Sequence, residues 1–317
     1  MTLIRKPYEL SVQTRIKALI YGQAGMGKTT LALSAPKPLL LDFDKGVHRV
    51  NYGHQMDTVQ VESWMDCENV LNEDLSAFET LIIDTGAKML DFMSEDIIRR
   101  NPKMGKANGA LTLQGFGERK GMFRQFVKSV MTKNKHLIFI AHRDTQKNGD
   151  DIRYVPMFGG SSYDDLVTEL DLVGYLEADG RKRKITFDPT DRNDGKNTCN
   201  LPATMELPLV VDQSGAALQN TFLQTSVIEP YIANLQKRVE IAAKFNTVME
   251  ELKVEIELIT DDLSANDFVS RIDKFEHVAN SRAIAANLAN NKAISLGLKF
   301  NRELKGYEKV QLQNSLV

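Results

Sequence analysis

Cysteine is scarce: Cys67 and Cys199 are the two in 317 residues, too few for a disulfide scaffold and without paired metal-ligand spacing. A reduced compartment and a metal-free role for both are expected. Long hydrophobic runs are missing as well. Nowhere do 18 uncharged apolar residues follow each other, and the opening MTLIRKPYELSVQTRIK has no apolar stretch of signal-peptide length, so no membrane partner and a cytoplasmic location are expected. An excess of charge of one sign is also lacking. Lys and Arg number 40 against 42 Asp and Glu, a formal net charge of −2, so any binding to nucleic acid or lipid needs a local patch. None of the nine prolines lies beyond Pro230, which leaves the last quarter free to run in uninterrupted helices.

What is present is the composition of a folded globular chain, 42% hydrophobic and 26% charged. Short apolar runs, Ala18 to Tyr21, Leu39 to Leu41, Leu81 to Ile83 and Leu137 to Ala141, are separated by longer mixed stretches. That spacing predicts buried strands of a largely parallel sheet joined by helices, an α/β fold. Leu170 to Glu177 and Arg183 to Phe187 flank Ala178-Asp179-Gly180, a hairpin signal that adds an antiparallel extension. Beyond Pro230 the pattern turns helical, with Val239, Ala242, Ala243, Val248, Met249, Leu252 and Ile256 near a 3.6 spacing. A further helix is expected from Ser264, where Ser264-Ala265-Asn266-Asp267 has the form of a capping box. The expected organisation is an N-terminal segment 1–14, an α/β core over 15–212, a linker over 213–231 and a helical region over 232–317.

The chemistry begins at Gly22-Gln23-Ala24-Gly25-Met26-Gly27-Lys28-Thr29, which fits G-x-x-x-x-G-K-[ST] between an apolar run and Thr30-Leu31-Ala32-Leu33. Glycines let consecutive backbone N–H groups curl round phosphate oxygens. Lys28 would reach the β and γ phosphates of ATP, and the Thr29 hydroxyl would ligate Mg²⁺. Asp84, directly after the run Leu81-Ile82-Ile83, is the candidate for the magnesium-shell carboxylate. Asp42 and Asp44 end another run, and alternation sends them to the same side of an extended strand; either could orient the attacking water. His142, at the end of Ile138-Phe139-Ile140-Ala141, suits sensing of the γ-phosphate.

This succession resembles the RecA/RadA superfamily: a P-loop on the first strand, D-x-[ED]-x-G after the second, an Asp-ended third and a polar-ended fourth. More narrowly it resembles the phage nucleotide-binding proteins of the Sak-type single-strand-annealing ATPases, over about residues 15 to 210. The resemblance implies a RecA-like P-loop core with a C-terminal helical appendage, and a slow, DNA-stimulated ATPase working in annealing or recombination. It places the catalytic glutamate on Asp44, the magnesium aspartate on Asp84 and the γ-phosphate sensor on His142. Asp44 is one methylene shorter than glutamate, so slow turnover is expected. Further implied are a homo-oligomeric filament or ring, in which Lys196 of a neighbouring subunit completes the site, and a single-stranded-DNA-binding protein as a further partner. If the chain is phage-encoded, its place is the host cytoplasm.

Charge distribution supplies a separate clue. From Arg99 to His136 ten basic residues face one acid, Glu118, a local net of +9. Lys103 and Lys106 sit in a Gly-bearing loop, Arg119 and Lys120 follow, and Phe116 offers a stacking face. A second loop, Arg143 to Tyr163, carries Arg143, Lys147, Arg153 and Gly159-Gly160. The resemblance puts DNA-binding loops at these two positions. Further on, Glu250 to Asp267 carries seven acids against Lys253, and Arg282 to Lys309 carries six bases against Glu303 and Glu308. Such opposed patches suit contacts between subunits. Two other readings of the same core are a nucleotide-gated binding module with little hydrolysis and a motor or loader ATPase in replication or packaging.

Overall fold

A computed structural model of the chain describes residues 3–5, 10, 12–149, 151–158, 167–180, 182–198 and 200–310. It divides into two units between Asn234 and Leu235. Among the described residues no helix is long and apolar enough to cross a membrane. Cys199 and the Gly159-Gly160 pair lie outside the described residues.

The first unit is organised by a sheet of strands β1 (Lys17–Gly22), β2 (Pro38–Asp42), β3 (Thr58–Gln60), β4 (Thr80–Asp84), β5 (His136–Asn148), β6 (Asp151–Met157), β7 (Leu172–Asp179), β8 (Lys182–Thr186), β9 (Lys196–Asn197) and β10 (Thr204–Glu206). Its order is β10-β8-β7-β1-β5-β4-β2-β3, with β7, β1, β5, β4, β2 and β3 all parallel. The mainly parallel, helix-flanked sheet expected from the apolar runs is therefore present. β4 is buried at every position, as a strand covered on both faces must be. Helices α1 (Lys28–Ala32), α2 (Trp64–Val70), α3 (Gly86–Arg100) and α4 (Leu113–Thr132) connect the parallel strands. One sheet face, with Leu19, Tyr21, Ile83 and Phe139, packs in a common core with Trp64 of α2, Met89 and Met93 of α3, and Phe123 and Phe126 of α4. Cys67 belongs to this core, fully buried, and burial pushes its thiol up to about 12, which makes it inert.

Two expectations for this unit are corrected. The stretch after His142 continues as strand: β5 runs on to Asn148 and pairs antiparallel with β6, so Arg143 to Met157 is a hairpin rather than a loop. The segment 213–231 packs on the core instead of linking domains, because Leu223 N donates to Ser34 Oγ at 2.9 Å and Phe222, Leu223, Val227 and Ile228 are buried. The hairpin expected at Asp179-Gly180 is present, with Gly180 at φ +60° and β7 antiparallel to β8.

The second unit contains α5 (Glu229–Glu257, which begins before the division), α6 (Asp262–Arg271), α7 (Ser281–Ser295) and a two-stranded sheet of β11 (Leu298–Asn301) and β12 (Gly306–Lys309). It is thus not wholly helical. Its core joins Val248, Leu252 and Ile256 to Phe268, Ala285, Ala289 and Tyr307. The capping box sits three residues earlier than expected: Asp261 accepts from Ser264 N at 2.8 Å, and Ser264 Oγ accepts from Asp261 N at 3.0 Å. The opposed charge patches pair within this unit, through Lys292–Glu257 at 2.6 Å and Lys309–Asp262 at 3.9 Å. These contacts consume part of the charge that was expected to face another subunit.

Candidate nucleotide site

Parallel register brings the chemistry to one edge. Gly22 of β1 lies opposite His142 of β5, Asp84 of β4 lies opposite Ile140, and Asp42 of β2 lies opposite Asp84. Ligands in α/β sheets bind beyond these carboxyl ends, and here the P-loop closes over them. Gly25 and Gly27 have φ of +77° and +85°, in the left-handed region where side chains are strained, so the curl of the loop depends on glycine at both. Ala24, Lys28, Thr29, Thr30, Asp44, Asp84 and His142 line one cavity of about 260 Å³.

Within that cavity the polar groups hold each other. Lys28 Nζ donates to the carbonyls of Gly22 and Gln23, at 3.0 and 2.9 Å. Thr29 Oγ1 donates to Asp84 Oδ2 at 2.6 Å. Burial pushes the Asp84 carboxyl up to about 6; the Thr29 hydroxyl and Lys28 oppose the rise, and Asp44 and Asp42 add to it. Burial lowers the Lys28 ammonium, against the pull of Asp84 and Asp44. Burial likewise lowers the His142 imidazole, and Lys28 adds to that effect, so a neutral ring faces the cavity. Among the described residues no group of three or more His, Cys, Asp or Glu could cage a metal. Two oxygens, from Thr29 and Asp84, are what remain, and they fit Mg²⁺, which keeps several waters and binds through phosphates.

The two strand-end aspartates part company. Asp42 is 1% exposed, and its carboxylate accepts from Gly46 N and Val47 N at 3.0 and 2.9 Å, so it folds the turn after β2. Asp44 lies past the end of the strand and lines the cavity. Alternation therefore fails as a guide here, because β2 stops at Asp42 and the chain bends. Arg49, five residues beyond Asp44 in a short 3-10 turn, also lines the cavity and was not singled out from the sequence. Its only sequence signal is its nearness to that carboxylate.

Other expected residues are placed elsewhere. Lys196 Nζ donates to the carbonyls of Val167 and Thr168 at 2.9 and 3.4 Å, which ties it to its own chain. Arg119 is 8% exposed; it donates to Ser94 Oγ and lies over the Phe116 ring, and burial lowers its pKa. It is a buried residue and not an open DNA contact. Arg143 donates to Tyr175 Oη and stacks on the Tyr154 ring at 4.3 Å, whereas Arg153 pairs with Asp194 at 2.6 Å. Lys103, Lys106 and Lys147 are exposed, and Lys120 is partly so.

Comparison with known proteins agrees with this site. The family model described as an AAA domain matches residues 14–199, more than half of the chain. A solved structure, the ATPase domain of a helicase, is 12% identical and has a TM-score of 0.37, over 62% of this chain and 81% of its own. No curated protein matches.

Proposed function

The chain belongs to the AAA-domain family and carries its P-loop ATPase domain, and from that membership we propose that it binds and slowly hydrolyses Mg·ATP in a cycle coupled to single-stranded DNA. The observation that carries the proposal is the convergence of Lys28, Thr29, Asp84, Asp44 and His142 on one cavity at the carboxyl edge of the sheet. A bound magnesium ion supplies positive charge to the phosphate oxygens. On this reading Thr29 and Asp84 separate to hold the ion's shell, and Lys28 leaves its two carbonyls for the transferred phosphoryl group. Asp44 orients the attacking water, and His142 meets the γ-phosphate as a neutral ring. Arg49, on the same cavity, offers a guanidinium in cis.

Single-stranded DNA as the polymer is supported by the exposed bases Lys103, Lys106, Arg124 and Lys128. Arg99 and Arg100 contribute less to that field, since both pair with Asp96. Annealing or recombination as a Sak-type phage ATPase, assembled as a filament or ring, is the finer part of the proposal. If Lys196 completes a neighbour's site in that assembly, it first gives up two carbonyls.

The shorter side chain of Asp44 favours a second reading, a nucleotide-gated module with little turnover. Phosphate release measured alone, with single-stranded DNA and with duplex separates the two. Stimulation by single strands supports the proposal, no release with retained binding supports the gated module, and stimulation by duplex alone points to a motor or loader.

A further inference from the structure

A second cavity, of about 560 Å³, adjoins the first and shares Gly25, Gly27, Thr30 and Arg49 with it. It is closed by the segment 207–222. That strap leaves the sheet edge where Leu207 N donates to the Arg183 carbonyl, and it turns back on itself through the Val211–Ala217 bridge. It is pinned to the turn at 51–54, where Asn51 Nδ2 donates to the Gly215 carbonyl and His54 Nε2 bonds the Leu218 carbonyl at 2.8 Å. It returns to α1, where Asn220 Nδ2 donates to the Thr30 carbonyl at 2.7 Å. Leu31, Leu207, Leu209, Val210 and Phe222 make much of the lining apolar.

Two buried polar atoms of this lining lack any hydrogen-bond partner: His54 Nδ1 and Asn220 Oδ1. Both are acceptors. The Leu218 carbonyl can only accept, so Nε2 of His54 carries the proton, and in the neutral ring Nδ1 presents a lone pair. The Asn220 amide is fixed the same way, because its nitrogen donates to the Thr30 carbonyl and its oxygen is left over. Buried unpaired acceptors are rare in folded proteins, and two on the wall of one cavity call for a donor from outside the chain.

We propose that this cavity takes the base of the nucleotide, and that His54 Nδ1 and Asn220 Oδ1 accept the two N–H groups of the adenine 6-amino group. The proposal rests on the P-loop reading of the phosphate cavity, since the shared wall is what lets one nucleotide span both. A 6-oxo group, as in guanine or hypoxanthine, sets its own lone pairs against both acceptors and leaves them unpaired. Sites built to bond a donor discriminate against analogues that lack it far more strongly than apolar pockets discriminate by size. The strap thus makes the site an adenine-nucleotide site.

Equilibrium binding of ATP, purine riboside triphosphate, inosine triphosphate and GTP to the full chain with Mg²⁺ tests this. ATP should bind at least about tenfold more tightly than purine riboside triphosphate, whose amino group is replaced by hydrogen, and inosine triphosphate should be weaker still. In Asn220→Ala the advantage of ATP over purine riboside triphosphate should shrink to about threefold or less. Should that variant not fold, the nucleotide series on the unmodified chain decides by itself. Equal affinity for all four nucleotides overturns the base pocket and leaves the P-loop standing. Absence of binding by all four overturns the P-loop reading, and the base pocket with it.

Discussion

The phosphate cavity and the cavity beside it satisfy their polar groups in opposite ways. In the first, Lys28 is bonded to two carbonyls and Thr29 to Asp84, so each of these groups has a stand-in partner within the chain. In the second, His54 Nδ1 and Asn220 Oδ1 have none. The difference follows from chemistry. An ammonium, a hydroxyl and a carboxylate at a loop can pair with neighbouring groups, and a charged ligand later exchanges those bonds for its own. Two acceptors cannot pair, so that end waits for a donor. One end is therefore a charge exchange, tuned by pH and metal, and the other is a fixed template.

Substitution of Asp44 should sharpen the contrast most. Asp44→Asn is expected to lower turnover by at least about a hundredfold while ATP stays bound, because the residue acts on water in the transition state. The preference for ATP over inosine triphosphate should be unchanged, which joint kinetics and binding measurements check. Normal turnover in Asp44→Asn together with loss in Asp42→Asn would instead move the base two residues back.

Asp84 couples the phosphate end to pH. Its carboxyl sits at about 6 in the fold against an ordinary 3.8, so the folded chain holds the proton through that window. Stability without nucleotide should fall as pH rises from about 4 to 6, and the full cost is present above that range. Asp84→Asn removes the charged form and should stabilise the nucleotide-free protein by on the order of 2 kcal/mol at about pH 7.5, read by denaturant unfolding. Mg²⁺ needs the carboxylate, so the magnesium dependence of ATP binding should weaken below about pH 6 in the unmodified chain and be lost in Asp84→Asn. The base preference, which uses no group of Asp84, should not follow that profile.

The smallest effect is expected at the exposed loop. Lys103→Ala with Lys106→Ala should weaken single-stranded DNA binding uniformly across sequences and reduce the slope of log affinity against log salt by about 1 to 1.5. A slope that stays constant would place the DNA path elsewhere on the chain.

The phosphate end was legible in the sequence because a cradle for phosphate needs contiguous residues, and contiguous residues form a motif. Asp84 and His142 were legible because each follows an apolar run that could be nothing but strand. Arg119 shows what charge counting misses. Gly115, Arg119, Phe123, Phe126 and Val130 recur at helical spacing and are all buried, so periodicity placed Arg119 inside although its charge suggested the surface. The hairpin after His142 was hidden by its polar composition, since β5 there leaves the core and alternation loses its apolar member. The base end had no sequence signal at all. His54 and Asn220 stand far apart in the chain, and the strap that joins them reads as a linker because its turn is rich in Asp, Ser and Gly.

The most direct measurement is steady-state phosphate release from Mg·ATP by the full chain beside Lys28→Ala. Release by the unmodified chain, with a loss of at least about a hundredfold in the variant, is the expected result, because the lysine's charge acts on the phosphoryl group in flight. Equal release from the two proteins would contradict the assignment of the P-loop as the site of hydrolysis.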